Sequence, residues 1–136
     1  MRLVRLAQRR WEVLAVCDSR GRCPVTDFLA DLKGTTHQIA AEQMAQLLSV
    51  QIPANGPPKT EPLCKSLGNG LYELRKQPKG KKLRVLWFYG GGAVVVCAVA
   101  FTKAEKTPRA ELDRARGWKK AYLEAKENGT IEIVDG

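Results

Sequence analysis

Apolar positions along the chain alternate in some stretches and follow a helical period in others. Residues 11–17 (WEVLAVC) are rich in β-formers and apolar on both alternating faces, the pattern of a strand buried on each side. SRGRCP follows as a turn, with Gly21 as its pivot and Pro24 suited to a first helical position. Val25, Phe28, Leu29 and Leu32 then fall at i, i+3, i+4 and i+7, which predicts a short amphipathic helix ended by Gly34. Thr35 and Gln38 have the spacing of a capping box. Behind them Ala40, Met44, Leu47 and Leu48 form the stripe of a second helix, to about Gln51. The two helices are expected to pack as an αα-hairpin.

Residues 52–62 (IPANGPPKTEP) hold four prolines and a glycine and predict a connecting loop. Three strand-like runs follow at 71–75, 83–89 and 93–101. They are joined by the basic loop QPKGKK and the GGG turn at 90–92, which predicts an antiparallel meander. Thr107, as cap, and Pro108 open a last helix with Leu112, Ala115, Trp118, Tyr122 and Ala125 on its apolar face. Gly117 weakens that helix by about 1 kcal/mol relative to alanine, so a bend or close packing is expected there. Asn128 and Gly129 end it, and IEIVDG is either a short edge strand or a frayed tail. The order β-α-α-β-β-β-α describes an α+β fold: an antiparallel sheet with an N-terminal helical hairpin on one face and a C-terminal helix. The other face is left partly open or is covered by that last helix.

A chain of 136 residues is a single domain, 1–136, here with a basic N-terminal extension (1–10) and a C-terminal tail (128–136). Its 44% hydrophobic and 27% charged content is that of a globular protein. The longest apolar run, 93–101, falls well short of the roughly 20 residues a bilayer demands. Residues 1–10 lack the apolar core of a secretory signal, so a cytoplasmic protein without membrane partners is expected. Cysteines at 17, 23, 64 and 97 show no close spacing, and His37 is the only histidine. No metal or cofactor site is expected, and the default state of the thiols is buried and reduced.

The charge of +9 is clustered. Residues 1–22 carry +4, residues 75–84 carry +6 with no acid, residues 103–120 carry +4, and residues 23–64 carry −2. Such clustering is the footprint of a nucleic-acid partner, although a solubilising surface has the same composition. Charges inside apolar strands cost more. Strand parity places Arg84 with Leu86 and Phe88, and Arg75 with Glu73 and Leu71. Val95, Cys97, Val99, Phe101 and Lys103 share one face by the same rule. Buried charges need partners or a wet cleft, so Glu73, Arg75 and Arg84 are the residues whose placement calls for a reason. An Arg–Glu pair across neighbouring strands is the simplest one.

The runs DSRGRCPVTDFLADL, LGNGLYELRK, LRVLWFYGGGAVVV and FTKAEKTPRAELDRA, in that order from about Trp11 to Tyr122, resemble the phage-derived branch of the RelE/HigB toxin superfamily. That resemblance implies the microbial-ribonuclease-like fold of RelE. It also implies the toxin of a type II toxin–antitoxin system, an mRNA endoribonuclease acting on the ribosome without metal. The 2′-hydroxyl attacks the adjacent phosphate, which needs a base, an acid and cations around the phosphorane. Carried over by motif, the catalytic candidates are Arg75, Arg84, Lys103, Lys106 and Glu73, the last as base or as the residue holding the arginines. Lys76, Lys79, Lys81, Lys82 and Arg109 are candidates for the RNA backbone, and Tyr89 for stacking on a base. The implied partners are the ribosome, mRNA and a cognate antitoxin carrying a helix-turn-helix DNA-binding domain. Related toxins often use a histidine or tyrosine near the cleft, whereas His37 belongs to the second helix. An inactive RNA-binding module on the same fold is therefore the alternative. A DNA-binding role for helix 108–126 is a third reading, disfavoured because its basic residues spread around the helix.

Overall fold

Seven strands form one sheet in this computed structural model, which describes residues 1–103 and 106–136. The elements in chain order are β1 (Arg2–Gln8), β2 (Glu12–Val16), α1 (Pro24–Asp31), α2 (Gln38–Gln46), α3 (Ile52–Asn55), β3 (Cys64–Gly68), β4 (Leu71–Lys76), β5 (Leu83–Tyr89), β6 (Val94–Thr102), α4 (Arg109–Asn128) and β7 (Glu132–Asp135). The spatial order is β3-β4-β5-β6-β2-β1-β7.

The expected meander is present as β4-β5-β6, but the sheet is larger than the sequence pattern suggests and is mixed. β2 lies parallel to β6, and β7 parallel to β1. Residues 2–8, expected as an extension, form β1 because Leu3 and Val4 bury on opposite faces of the sheet. Arg5 ties three strands together, pairing with Glu12 at 2.7 Å and Asp135 at 2.6 Å. The tail accordingly takes its strand alternative. β3 went unforeseen because only Cys64 and Leu67 of its residues are apolar.

Each face carries its own core. Val13, Ala15, Val85, Trp87, Val95 and Cys97 pack beneath α1 and α2, whereas Leu14, Leu86, Phe88, Val96 and Phe101 pack beneath α4. Burial on both faces explains the near-continuous apolar runs of β5, broken by Arg84, and of β6 up to Thr102. A bulge in β6 breaks the parity expected for it: Leu86 pairs with Val99 but Trp87 pairs with Cys97, leaving Ala98 as the extra residue. Val95 and Cys97 therefore face the helical hairpin, while Val99 and Phe101 face α4. Without the bulge, Lys103 would follow Cys97 to the hairpin side.

Other expectations shift locally. The second helix continues past Pro53 to Asn55, through a wide turn of the π type over Leu47–Gln51. That turn removes the need for a proline N–H in the regular ladder, and it lets Ile52 bury. The expected capping box does not form: α2 begins at Gln38 behind His37, with no side-chain cap. Gln38 instead accepts the Gly34 N–H at 2.7 Å, while the Thr35 hydroxyl donates to Leu32 O at 2.6 Å. Thr107 does not cap α4, which starts behind Pro108. Cys17 and Cys23 are joined in a disulfide across the SRGRCP turn, in place of the reduced thiols expected, while Cys64 and Cys97 are free and buried. No helix among the described residues is long and apolar enough to cross a membrane.

α4 is anchored at the GGG turn, where Tyr122 and Lys126 donate to Gly90 O at 2.9 and 2.8 Å. A side chain at Gly90 would stand 2.8 Å from the Tyr122 hydroxyl, so that position is closed to larger residues. Gly117 shows neither the bend nor the packing contact expected of it: α4 runs unbroken, and a Cβ there would meet open space. Gly117→Ala is thus expected to stabilise the fold by about 1 kcal/mol through helix propensity alone. A rise in the urea midpoint without a change in slope is the result that checks it.

Candidate functional site

Three central strands bring a group of charges together on the α4 face. Arg75 of β4 stands directly opposite Arg84 of β5, which stands opposite Phe101 of β6. Like charges facing each other across a strand pair repel unless something neutralises them. Glu73, two residues before Arg75 and on the same face, supplies that counter-charge.

Its carboxylate is completely buried. Oε1 accepts a hydrogen bond from Arg75 Nε at 3.0 Å and lies 3.6 Å from both Arg84 Nε and Lys103 Nζ. Oε2 accepts a hydrogen bond from the Thr107 hydroxyl. The outer edge of Arg75 reaches Glu61 at 3.0 Å. Arg84 donates through its two Nη groups to Leu83 O at 3.1 Å and Gln77 Oε1 at 2.8 Å. Its buried Nε makes no hydrogen bond, because 3.6 Å is an ion-pair distance and too long for one.

The electrostatics follow from burial. Desolvation pushes the Glu73 carboxyl up, but the Thr107 and Arg75 hydrogen bonds and the charges of Lys103 and Arg75 outweigh it, so its pKa is lowered. Burial lowers the pKa of Arg84, with Glu73 opposing and Arg75 reinforcing. Burial likewise lowers the pKa of Lys103, where the attraction of Glu73 is partly cancelled by Arg84 and Arg75. Three cations thus share one wholly buried carboxylate. Even with Glu61 at the rim, the described residues leave one more cation than carboxylate, which suits an incoming phosphate. A lysine drawn below its ordinary range is suited to moving a proton.

Of the candidates from the sequence, the structure brings Glu73, Arg75, Arg84 and Lys103 into direct contact. Lys106 stands exposed near them, and Ala104 and Glu105, within the FTKAEKTP run, lie outside the described residues. Lys79 and Lys81 are exposed, and Lys82 is partly buried, on the β4–β5 connection. Lys82 O accepts the Lys103 N–H at 3.1 Å, which ties this connection to the cluster. Lys76 ends β4, and Arg109, almost fully exposed, reaches Asp113 at 4.0 Å. Tyr89 is on the opposite face, against Trp87 and Tyr72 with ring centroids 4.9 and 5.5 Å away, so it is separate from the cluster. His37 is also remote, half-buried at the N-cap of α2.

Sequence reasoning missed Thr107 and Gln77 as members of the site. Thr107 was visible in the K-T-P turn but only as a cap, and nothing in the pattern tied Gln77 to Arg84. Among the described residues no three His, Cys, Asp or Glu side chains converge as a metal cage would require.

Glu73→Gln would leave Arg84 and Lys103 buried with no counter-charge among the described residues, and a loss of about 3–5 kcal/mol is expected in denaturant titrations. The pH dependence has a definite sign. Because the folded pKa of Glu73 is lowered, the unfolded chain binds more protons at acid pH. The contribution of Glu73 is present above its ordinary value of 4.5 and fades as pH falls through the lower folded value. Thr107→Val removes one cause of the lowering, so this variant should lose less stability than the native chain on acidification from about pH 5 to about pH 3.

No curated protein matches the chain. Residues 30–120, which span α2, the β3–β6 strands and the whole charge cluster, match the family model described as phage derived protein Gp49-like (DUF891). That is a toxin-like family related to RelE/HigB, and the chain belongs to it.

Proposed function

We propose that the chain is the toxin of a type II toxin–antitoxin system and cleaves mRNA on the ribosome. The observation that carries this reading is the surplus of buried cations around Glu73 on strands of a toxin-like family. A pentavalent phosphorane carries more negative charge than the diester it forms from, so fixed cations favour it over the ground state. In the proposed reaction the 2′-oxygen forms a bond to phosphorus as it loses its proton, and the bond from phosphorus to the 5′-oxygen breaks as that oxygen gains one. The products are a 2′,3′-cyclic phosphate and a 5′-hydroxyl.

The residues divide the work by accessibility. Arg75, with part of its guanidinium at the surface, touches the phosphate. Arg84 stabilises the developing charge from beneath, Lys103 donates the proton that the departing 5′-oxygen gains, and the 2′-hydroxyl proton passes to water. Glu73 acts as a positioning residue: with Arg75 and Thr107 hydrogen-bonded to it and Arg84 and Lys103 against it, its oxygens are committed. Lys76, Lys79, Lys81, Lys82, Lys106 and Arg109 would attract the RNA backbone around this centre. An antitoxin, the proposed protein partner, would silence the toxin by laying an acidic or helical segment over residues 75–106.

The specific observation favouring an inactive RNA-binding module is the lack of a histidine or tyrosine in the cluster. Primer extension on a defined mRNA, in a reconstituted translation mix with and without ribosomes, separates the two readings. New 5′ ends that require ribosomes, reduced about a hundredfold or more by Arg84→Ala in a variant that still folds, are the expected result. Native chain that leaves the mRNA intact under both conditions would sink the endonuclease reading in favour of the inactive module.

A further inference from the structure

A second group of cations lies at the same end of the sheet, outside the cluster and outside the stretch that the family model spans. The connection from β2 to α1 is a closed loop, clamped by the Cys17–Cys23 disulfide. Inside it, the Asp18 N–H donates to Arg22 O at 2.7 Å and the Gly21 N–H to Asp18 O at 3.0 Å. The Asp18 carboxylate accepts the Arg20 and Arg22 N–H groups at 2.9 Å each. Gly21, at φ +78°, allows the reversal, and Arg2 lies 3.5 Å from where its Cβ would stand.

The polar groups of the loop are thus largely consumed internally. What remains outward is a pair of arginines: Arg20 and Arg22 are both exposed, and neither guanidinium makes a hydrogen bond or ion pair with a described residue. Strand register locates them. Ala15 of β2 is level with Cys97 of β6, so Cys17 and the loop beyond it are level with the last residues of β6, where Phe101 faces Arg84. β2 is two strands from β5, about 10 Å across the sheet, with β6 and its continuation to Lys103 between. Cations therefore line one end of the sheet from the loop, through Lys103, to Arg84 and Arg75.

We infer that the 17–23 loop is a second RNA-backbone contact, in which Arg20 and Arg22 hold phosphates next to those bound at the Glu73 cluster. The inference rests on the RNA reading proposed above. A row of cations along one edge matches a polyanion whose charges repeat along its length. A loop already locked by a disulfide and four hydrogen bonds loses little entropy when it binds. Arg9 and Arg10 provide an internal comparison. They are likewise exposed and without a side-chain partner among the described residues, but they occupy the β1–β2 turn at the opposite end of the sheet.

The test is fluorescence anisotropy with a labelled, 2′-O-methylated single-stranded RNA, which cannot be cleaved by 2′-oxygen attack, over a salt series. The double variant Arg20→Gln/Arg22→Gln should raise Kd roughly tenfold and reduce the salt slope by about 1.4, the loss of two phosphate contacts. Arg9→Gln/Arg10→Gln should bind like the native chain. Cys17→Ser/Cys23→Ser, which keeps the charges and unlocks the loop, should bind severalfold more weakly with the native slope. Native-like binding by the Arg20/Arg22 variant overturns the inference, as does an equal loss in the Arg9/Arg10 variant, which would reduce the effect to net charge. Weakened binding to polyglutamate with RNA binding intact would assign the loop to an acidic protein instead. Arg84→Gln in the same assay keeps the two readings apart. RNA affinity that falls for Arg84→Gln but not for the loop variant defeats only the loop. A native chain that binds no RNA likewise defeats the loop contact, while the proposed function stands or falls with the primer extension on ribosomes.

Discussion

A carboxylate cut off from water, at Glu73, holds together three cations that would otherwise repel one another inside the protein. Arg75 and Arg84 face each other across β4 and β5, and Lys103 comes in at the end of β6. Burying these charges carries a desolvation cost of several kcal/mol per ion, met by close contacts and by the satisfaction of both carboxylate oxygens. Several features of the fold can be understood as consequences. The bulge at Ala98 turns the end of β6 so that Lys103 reaches the α4 face. Thr107 gives up its role as a helix cap to bond Glu73, which fixes where α4 begins relative to the sheet.

The two-sided core makes this arrangement rigid. α1 and α2 cover one face and α4 the other, so β5 and β6 are apolar throughout except where Arg84 interrupts them. Arg84, the second residue of β5 and almost wholly buried, has its guanidinium held by Leu83 O, Gln77 and the Glu73 carboxylate. Its orientation is therefore set before any ligand arrives, and preorganisation of that kind gives electrostatic stabilisation its value in catalysis. At its rim the cluster opens toward the lysines of the β4–β5 connection and, two strands away, toward the arginine-bearing loop at 17–23. Lys79 and Lys81 stand exposed beside a centre in which three cations surround one buried carboxylate.

The local alphabet of the fold was legible in the chain. β5 has the bounds its apolar run suggested, β2, β4 and β6 differ by a residue or so, α1 starts at Pro24 as marked, and α4 starts one residue after Pro108. Glu73, Arg75 and Arg84 stood out because charges in apolar strands are expensive, and that reasoning needed no coordinates. The amino-acid sequence by itself also determined the clustered charge and, through four ordered motifs, the likeness to a toxin superfamily.

Tertiary structure decided what depends on contacts between distant residues. By sequence β1 reads as a basic extension and β7 as only one alternative for the tail; both became strands because each completes a ladder with a neighbour. Parity counting failed in β6, since a bulge arises from how two strands pair and leaves no mark in either one. The Cys17–Cys23 bond depends on the tight turn between them, and Gln77 joined the site only because a loop folded back onto Arg84. Periodicity and composition are properties of neighbours along the chain. Register, parallel pairing and the partner of a buried charge are properties of neighbours in space.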